Sequence, residues 1–414
     1  MATETESQTC FDRWTSVRDA LATSEAATVL RDDVPGVAEA GVAEGFQAFP
    51  LGVYLRIALS GDGELEEAIL DRLATITNPL ASIAEPPIAP VSPEYEGRDV
   101  KRGSALLETP SAAQTARPLE VLFRGPSHGN PFVDVDVSVR FESGPDQVDV
   151  GGFYDGDGLY RVRFLPPNEG VWSFTTASNA RSLDGISGSI DVAAGSGPGP
   201  VRVDRERARF VRDGKTITPI GTTAYAWTHQ PDELQRRTLA SLSKTPFTKI
   251  RMGLFPKSFL YNSNEPERFV FPRLDDGSWD LEHFDLEYFR HLERRIEDLA
   301  RLGIDAELIL FHAYDRWGFS SLPASVDDRY VRYAVRRLAA LPTVWWSVAN
   351  EYELLTAKRP DDWERIGRLI AEEDHVGHPL SIHNIVEPWD AASDWVTHCS
   401  IQRSDPSIGE QIDG

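Results

Sequence analysis

The spacing of apolar positions changes character three times along the chain. Between residues 11 and about 78 apolar residues recur at helical spacing. Stretches 24–30 and 64–76, rich in Ala, Leu and Glu, are predicted helices, with breaks at Pro35-Gly36 and Gly61-Asp62-Gly63. From Thr77 onward the pattern dissolves into Pro, Ser and Ala, as in Glu85-Pro86-Pro87 and Ser92-Pro93, which is a linker composition. Residues 117–194 then alternate with period two. Segments 119–123, 133–141, 159–164, 171–177 and 188–192 read as half-buried strands separated by Gly, Asp, Asn and Pro turns. Short strands at this spacing predict an antiparallel β-sandwich.

After a Gly/Pro hinge at 195–200 the pattern changes again. Phe210-Val211 and Thr216-Ile217 flank Asp213-Gly214, a hairpin signal. Predicted strands at 220–225, 248–255, 304–311, 344–349, 380–384 and 395–402 alternate with helices at 231–244, 284–302, 326–341 and 361–373. Six such units argue for a parallel sheet, either doubly wound or closed into a barrel. A buried parallel strand is a near-continuous apolar run, and Val344-Trp345-Trp346-Ser347-Val348-Ala349 fits that form before ending in Asn350-Glu351. Most of the strands end in a polar or aromatic cluster, among them Tyr225 to His229, His312 to Trp317, Asn350 to Tyr352 and His383-Asn384, with His398 and Gln402 on the last. No Gly-rich phosphate loop follows any of them. A site built from many consecutive strand ends is a barrel property. The expected fold is multidomain α+β: a helical module over 1–80, a linker over 81–116, a β-sandwich over 117–194 and a TIM-type barrel over 195–414.

Composition narrows the function. A net charge of −23 disfavours nucleic acid, which rewards basic patches. Lysine is scarce, and the acidic balance fits a salt-adapted or an acidic cytosolic protein. Two distant cysteines, Cys10 and Cys399, suggest neither a disulfide framework nor a metal site. The polar N-terminus has no signal-peptide pattern, and no apolar run is long enough to span a membrane. A cytoplasmic protein without membrane contact or cofactor is expected.

Several chemical features have plain alternatives. Asp155, Asp157 and Asn168 lack the remaining ligands of a calcium loop and read as a turn. Asp275-Asp276-Gly277 reads as a turn and Asp327-Asp328 as a helix cap. Asp315 and Arg316 should point apart, and Glu353 reads as a solvated neighbour of Glu351. Glu351 itself, if it has no chemical role, is expected to pair with Arg251 or Arg316.

Pro219-Ile220-Gly221-Thr222-Thr223, Lys249-Ile250-Arg251-Met252, Phe255-Pro256-Lys257, Leu310-Phe311-His312 and residues 345–352 resemble the clan A glycoside hydrolases. The nearest resemblance is to glycosidases distantly related to glycoside hydrolase family 5, which carry an Ig-like sandwich before a (β/α)8 barrel. Gly152 to Gly156 and Gly170-Val171-Trp172 match the sandwich, so the resemblance covers residues 117–402. It implies a retaining hydrolase of poly- or oligosaccharides, without a cofactor. Glu351 would be the general acid/base, Asn350 would bond a sugar hydroxyl, and Arg251 would orient the nucleophile. Tyr225, Trp227, His229, His312, Tyr314, Trp317, Tyr352, His383, Asn384, His398 and Gln402 would line the sugar-binding mouth. The nucleophile in that clan is a second Glu after the seventh strand, and the sequence read here stops soon after its sixth. Glu410 follows no apolar strand and is no substitute. The expectation is therefore an incomplete barrel of about six strands, inactive and poorly soluble alone, with a second chain or segment supplying the rest. Two alternatives are a non-catalytic carbohydrate-binding protein on a decayed glycosidase scaffold and a doubly wound sugar-processing enzyme. The N-terminal module loosely resembles one attached to bacterial polysaccharide-degrading enzymes, as a packing appendage.

Overall fold

The computed structural model of the protein describes residues 10–34, 37, 46–80, 90–110 and 112–402; Pro35-Gly36, residues 81–89 and Glu410 lie outside them. The first unit contains helices Val17–Ala22, Ser24–Asp33, Leu51–Ala58 and Gly63–Leu73. Ser16 and Asp62 cap two of these by accepting from the backbone N–H of Asp19 and Leu65. Phe11, Leu30, Leu51, Leu55 and Leu73 are fully buried at its centre.

The second unit is a pair of packed sheets. Its strands are β1 (Leu106–Glu108), β2 (Ala113–Gln114), β3 (Leu119–Arg124), β4 (Val137–Ser143), β5 (Asp146–Gly151), β6 (Phe153–Tyr154), β7 (Leu159–Phe164), β8 (Gly170–Ser178) and β9 (Ser187–Ala193). The sheet orders are β1-β3-β7-β6 and β2-β9-β8-β4-β5. Alternation turns Val121, Phe123, Val139, Phe141, Val162, Phe164, Trp172 and Phe174 into the shared interior. Three expectations need correction. The edge pair β2–β9 is parallel, so the sandwich is not wholly antiparallel. β1 and β2 lie in the stretch expected to be linker, because an edge strand needs backbone groups to pair and not an apolar pattern. Val133 and Asp134 lie in a one-turn helix, Pro131–Asp134, which Asn130 caps through the N–H of Phe132.

A small antiparallel meander follows, β10 (Arg202–Asp204), β11 (Arg209–Arg212) and β12 (Lys215–Ile217). Its turn takes positive φ at both Asp213 and Gly214, as a tight two-residue hairpin requires. Then β13 (Gly221–Thr223), β14 (Lys249–Gly253), β15 (Asp305–His312), β16 (Val344–Asn350) and β17 (Leu380–His383) form one sheet in sequence order, every pair parallel. Helices Asp232–Leu242, Leu286–Arg301, Ala324–Leu338 and Pro360–Glu373 connect consecutive strands. Ile250, Met252, Leu308, Trp346 and Val348 belong to the large apolar cluster that also contains Phe289, Ile296, Val331, Leu338, Ile366 and Ile370 of these helices. The alternate positions carry polar groups that bond to one another: Lys249 and Arg251 pair with Glu307 at 2.6 and 2.8 Å, Arg251 reaches the Ser347 hydroxyl at 3.4 Å, and the Trp345 indole donates to Asp305 at 3.0 Å. The sheet is a half-barrel. Among the described residues it has five strands and not six, because residues 395–402 contribute only one parallel bridge, Ser400 to His383.

One close approach carries a prediction. Gly367, inside the helix Pro360–Glu373, lies against the Trp395 indole, where a Cβ would run into the ring. Alanine is worth about 1 kcal/mol more than glycine in a helix, yet Gly367→Ala is expected to lower stability by about 1–3 kcal/mol, the range for overpacking. Urea unfolding of the two proteins checks this, and an unchanged or raised midpoint would mean that the indole moves aside freely.

Candidate active site

Glu351 stands directly after β16, at φ 53° and ψ 57°. A left-handed backbone is uncommon for a residue with a side chain and has to be held by its surroundings. The next two residues do the holding. Glu353 accepts from the N–H groups of Ile385, Val386 and Glu387 at 2.8, 3.0 and 2.8 Å. The Tyr352 hydroxyl donates to the Glu387 carbonyl at 3.1 Å, and its ring lies 6.1 Å from Trp14 and 5.1 Å from Trp389. The turn after β16 is thus clamped to the loop after β17 and to the N-terminal helical unit. Glu353 is 2 % exposed, so it is a buried clamp and not a solvated neighbour; burial pushes its carboxyl up against the lowering effect of the three N–H donors.

Glu351 is 8 % exposed, and its carboxylate is gripped on both oxygens. The Tyr314 hydroxyl donates to Oε2, and Gln402 Nε2 donates to Oε1 at 3.2 Å. Burial, and then the bond to Glu351, raise the Tyr314 phenol well above its ordinary range, so it stays a donor. Gln402 is held in turn. Its Oε1 accepts from His383 Nε2 at 3.1 Å, the Ser400 hydroxyl lies 3.1 Å from His383 Nδ1, and Asn384 Oδ1 accepts from the Gln402 N–H at 3.0 Å. Burial, then Arg251, lower the His383 pKa, which keeps its ring neutral in this chain of bonds. Asn350 Oδ1 accepts from the Tyr225 hydroxyl at 3.3 Å, and the register of β16 against β17 shifts between Ser347 and Asn350, where an irregularity re-aims side chains. Tyr314, Glu351, Gln402, His383 and Asn384 therefore form one hydrogen-bonded network, and the Tyr225–Asn350 pair lies beside it, joined through the backbone at 350–351.

The other candidates make no hydrogen bond to Glu351 or Asn350 among the described residues, although the His312 ring lies 6.3 Å from that of Tyr314. Trp227 is buried with its indole N–H on the Met252 sulfur at 3.4 Å. His229 is buried with Nε2 at 3.0 Å from the Leu254 carbonyl, and burial lowers its pKa to about 3. His312 is buried and bonds the Phe255 carbonyl at 3.1 Å; burial lowers its pKa too. Tyr352 serves the clamp. The Trp317 indole donates to Glu265 at 3.0 Å. His398 packs edge-on against Phe210 and Trp345, and burial lowers its pKa to about 4. The contacts of these side chains are with loops and neighbouring rings, since aromatic and histidine rings satisfy loop carbonyls and fill apolar gaps as readily as they line a site. Arg251 pairs with Glu307 and Arg316 with Glu265, so neither is the partner of Glu351, which makes no salt bridge among the described residues. Asp315 accepts from the N–H groups of Trp317 and Ser320, apart from Arg316 as expected. Asp327 and Asp328 are not caps: both are buried within the first turns of Ala324–Leu338, where Asp327 pairs with buried Lys358 and desolvation lifts its pKa to about 6.

Lys257 was not among the sequence candidates. It is 8 % exposed, and its ammonium sits 3.8 Å from the Tyr314 ring centroid and 4.2 Å from that of Tyr225. A lysine four residues past β14, in a chain with few lysines and within the quoted motif Phe255-Pro256-Lys257, was the available signal. No group of His, Cys, Asp and Glu suited to a metal ion occurs among the described residues. No helix among them is long and apolar enough to cross a membrane.

The chain is similar to known proteins. An Apiosidase-like catalytic-domain family model matches residues 209–409, and a domain of unknown function, DUF5060, matches residues 114–179. These matches support a glycosidase. Among solved structures, a Bacteroides vulgatus protein assigned to the glycoside hydrolases is 39% identical with a TM-score of 0.68, over 71% of this chain and 60% of that one. The chain thus spans about 60% of the length of that relative. A glycoside hydrolase family 5 protein from the same organism aligns at 12% identity and a TM-score of 0.36, over 49% of this chain and 44% of that one. An endo-1,4-β-mannanase from Rhizomucor miehei aligns at 14% and 0.33, over 45% and 60%. No curated protein matches the chain.

Proposed function

We propose that the protein is a retaining glycoside hydrolase of the clan A type acting on a poly- or oligosaccharide, with Glu351 as general acid/base. The observation that carries this reading is the setting of Glu351: a buried carboxylate after the fourth parallel strand, gripped by Tyr314 and Gln402 and paired with no cation. Asn350 would bond a sugar hydroxyl next to it. The two-sheet unit is then an Ig-like domain, and the half-barrel is part of a (β/α)8 barrel. Retention needs a second carboxyl about 5–5.5 Å from the first, to attack the anomeric carbon. Among the described residues no second carboxylate joins the hydrogen bonds around Glu351. The reading assigns the attack to a Glu outside them, on a segment or second chain that continues the sheet past β17, with Arg251 turning toward it.

That single carboxylate also favours a second reading, a carbohydrate-binding protein on a glycosidase scaffold without turnover. One paired measurement separates them. Binding and cleavage of the same oligosaccharides are followed on the protein joined by the segment or chain that completes the sheet past β17, and on Glu351→Gln in the same setting. Cleavage that the substitution removes supports the hydrolase, binding without cleavage supports the second reading, and neither binding nor cleavage overturns both.

A further inference from the structure

The loop after β14 is built as a projecting arm. Phe259 and Asn262 exchange backbone hydrogen bonds of 3.0 and 2.9 Å, closing a tight hairpin with Leu260 and Tyr261 at its tip. The root is pinned. The Asn262 amide donates to the Lys257 carbonyl and accepts from Gln230 at 2.9 Å, and the Ser258 N–H donates to the Tyr314 carbonyl at 2.8 Å. Yet the tip is bare: Leu260 is 94 % and Tyr261 79 % exposed. Phe259 joins the tip to the site, with its ring 5.1 Å from Tyr261 and 5.4 Å, edge-on, from Tyr314, whose hydroxyl holds Glu351.

Lys257 stands at the root of this arm. Its ammonium makes no salt bridge and no side-chain hydrogen bond among the described residues. A desolvated cation with no carboxylate in contact is costly, and burial lowers its pKa against the weaker raising effect of the Glu351 charge. The Tyr225 and Tyr314 rings offset part of that cost through cation–π attraction. An ammonium carries three donors, and a ring face uses them poorly. Three donors, exposed aromatic faces and a carboxylate thus meet at one place. A sugar ring is amphipathic in the matching sense, with a C–H face that stacks on an aromatic ring and hydroxyls around its edge. The opposite charges of Lys257 and Glu351 balance, and a net charge of −23 repels polyanions.

We propose that the Phe259–Asn262 hairpin, with Lys257 at its root, is a binding subsite for a neutral pyranose of the substrate chain, Tyr261 stacking on the ring and Lys257 donating to its hydroxyls. This rests on the glycosidase reading only in taking the ligand to be a carbohydrate, and its readout is binding and not turnover. Calorimetric titration of the full chain with short gluco-, manno-, xylo- and galacto-oligosaccharides, and with a galacturono-oligosaccharide as the charged counterpart, tests it. At least one neutral series should bind. Tyr261→Ala and Lys257→Met should each weaken that binding about tenfold, and Lys244→Met, an exposed lysine beyond the helix Asp232–Leu242, should not change it. Because Tyr261 lies on the surface, its replacement leaves folding intact even where Lys257→Met does not. Unchanged binding in Tyr261→Ala overturns the subsite and leaves the Glu351 reading standing. Tighter binding of the galacturono-oligosaccharide overturns the neutral class. Self-association abolished by Tyr261→Ala would make the tip a protein-contact face instead, and the absence of any carbohydrate binding by the parent overturns both readings.

Discussion

Once the sheet is completed by the segment or chain that carries the attacking Glu, Glu351→Gln is expected to slow cleavage of glycosides with poor leaving groups by about 10²–10⁴-fold, the range that general acid–base assistance contributes. Dinitrophenyl glycosides, whose leaving group departs without a proton, should lose far less in the bond-breaking step. The substitution is nearly isosteric, but it cannot keep both grips. In the parent, Tyr314 and Gln402 each donate to one carboxylate oxygen. A glutamine has one carbonyl oxygen, so its amide nitrogen faces one of these donors with a donor of its own. The left-handed turn at 351 should survive, because it is set by Glu353, Tyr352 and the backbone of residues 385–387 and not by the Glu351 side chain. A measured loss is therefore a loss of proton transfer. Equal activity of parent and variant on both substrate classes would remove Glu351 from the chemistry.

The sequence made the centre of this site legible and left its surroundings obscure. The apolar run ending in Asn350-Glu351 has the form of a buried parallel strand, and the polar residues at successive strand ends pointed to one rim of the sheet. Which way a ring points at such an end is decided by contacts far apart in sequence. Trp227 turns to Met252, His229 to the Leu254 carbonyl, and Tyr352 to Trp14 of the helical unit. Nothing in the local pattern of these residues separates them from Tyr225 or Tyr314, which do face Glu351 and Asn350. The hairpin at 259–262 was hidden for another reason. It sits in an insertion without periodicity, closed by one reciprocal pair of backbone bonds that any two residues can make. Edge strands β1 and β2 escaped notice in the same way, since pairing through the backbone leaves no side-chain signature.

The largest effect on stability is expected from Arg337, which ties the two-sheet unit to the half-barrel. It lies on the helix Ala324–Leu338 and is 1 % exposed. Its guanidinium bonds Asp155 of the sandwich at 2.8 Å, Glu293 of the neighbouring helix at 2.5 Å and the Tyr333 hydroxyl at 3.0 Å, and stacks 4.9 Å from the Phe153 ring. Around it, Arg163 joins the sandwich strand β7 to Glu293 at 2.6 Å, and Arg336 joins Asp136 and Glu373, each at 2.6 Å. Removing one partner of a buried ion pair costs about 3–5 kcal/mol, because the other charge is stranded. Arg337→Met should fall toward the lower end of that range, since Asp155 keeps Arg161 at 2.6 Å and Glu293 keeps Arg163. Acid should act on the same joint. Burial alone would raise the carboxyls of Asp155, Asp136 and Glu293, but their arginines outweigh it and hold all three below the usual range. Depressed folded-state values give stability that is fully present above the unfolded carboxylate pKa of about 4 and is lost as pH falls through the folded values. Below about pH 4 the parent should therefore lose the joint between its units, and Arg337→Met should lose it at a higher pH. Guanidinium unfolding across that range, followed by tryptophan emission and by limited proteolysis between the sandwich and the half-barrel, checks both statements. A variant with the parent's midpoint, and the parent's acid limit, would show that the apolar contacts of Phe153 and Tyr333 hold the two units together without the charges.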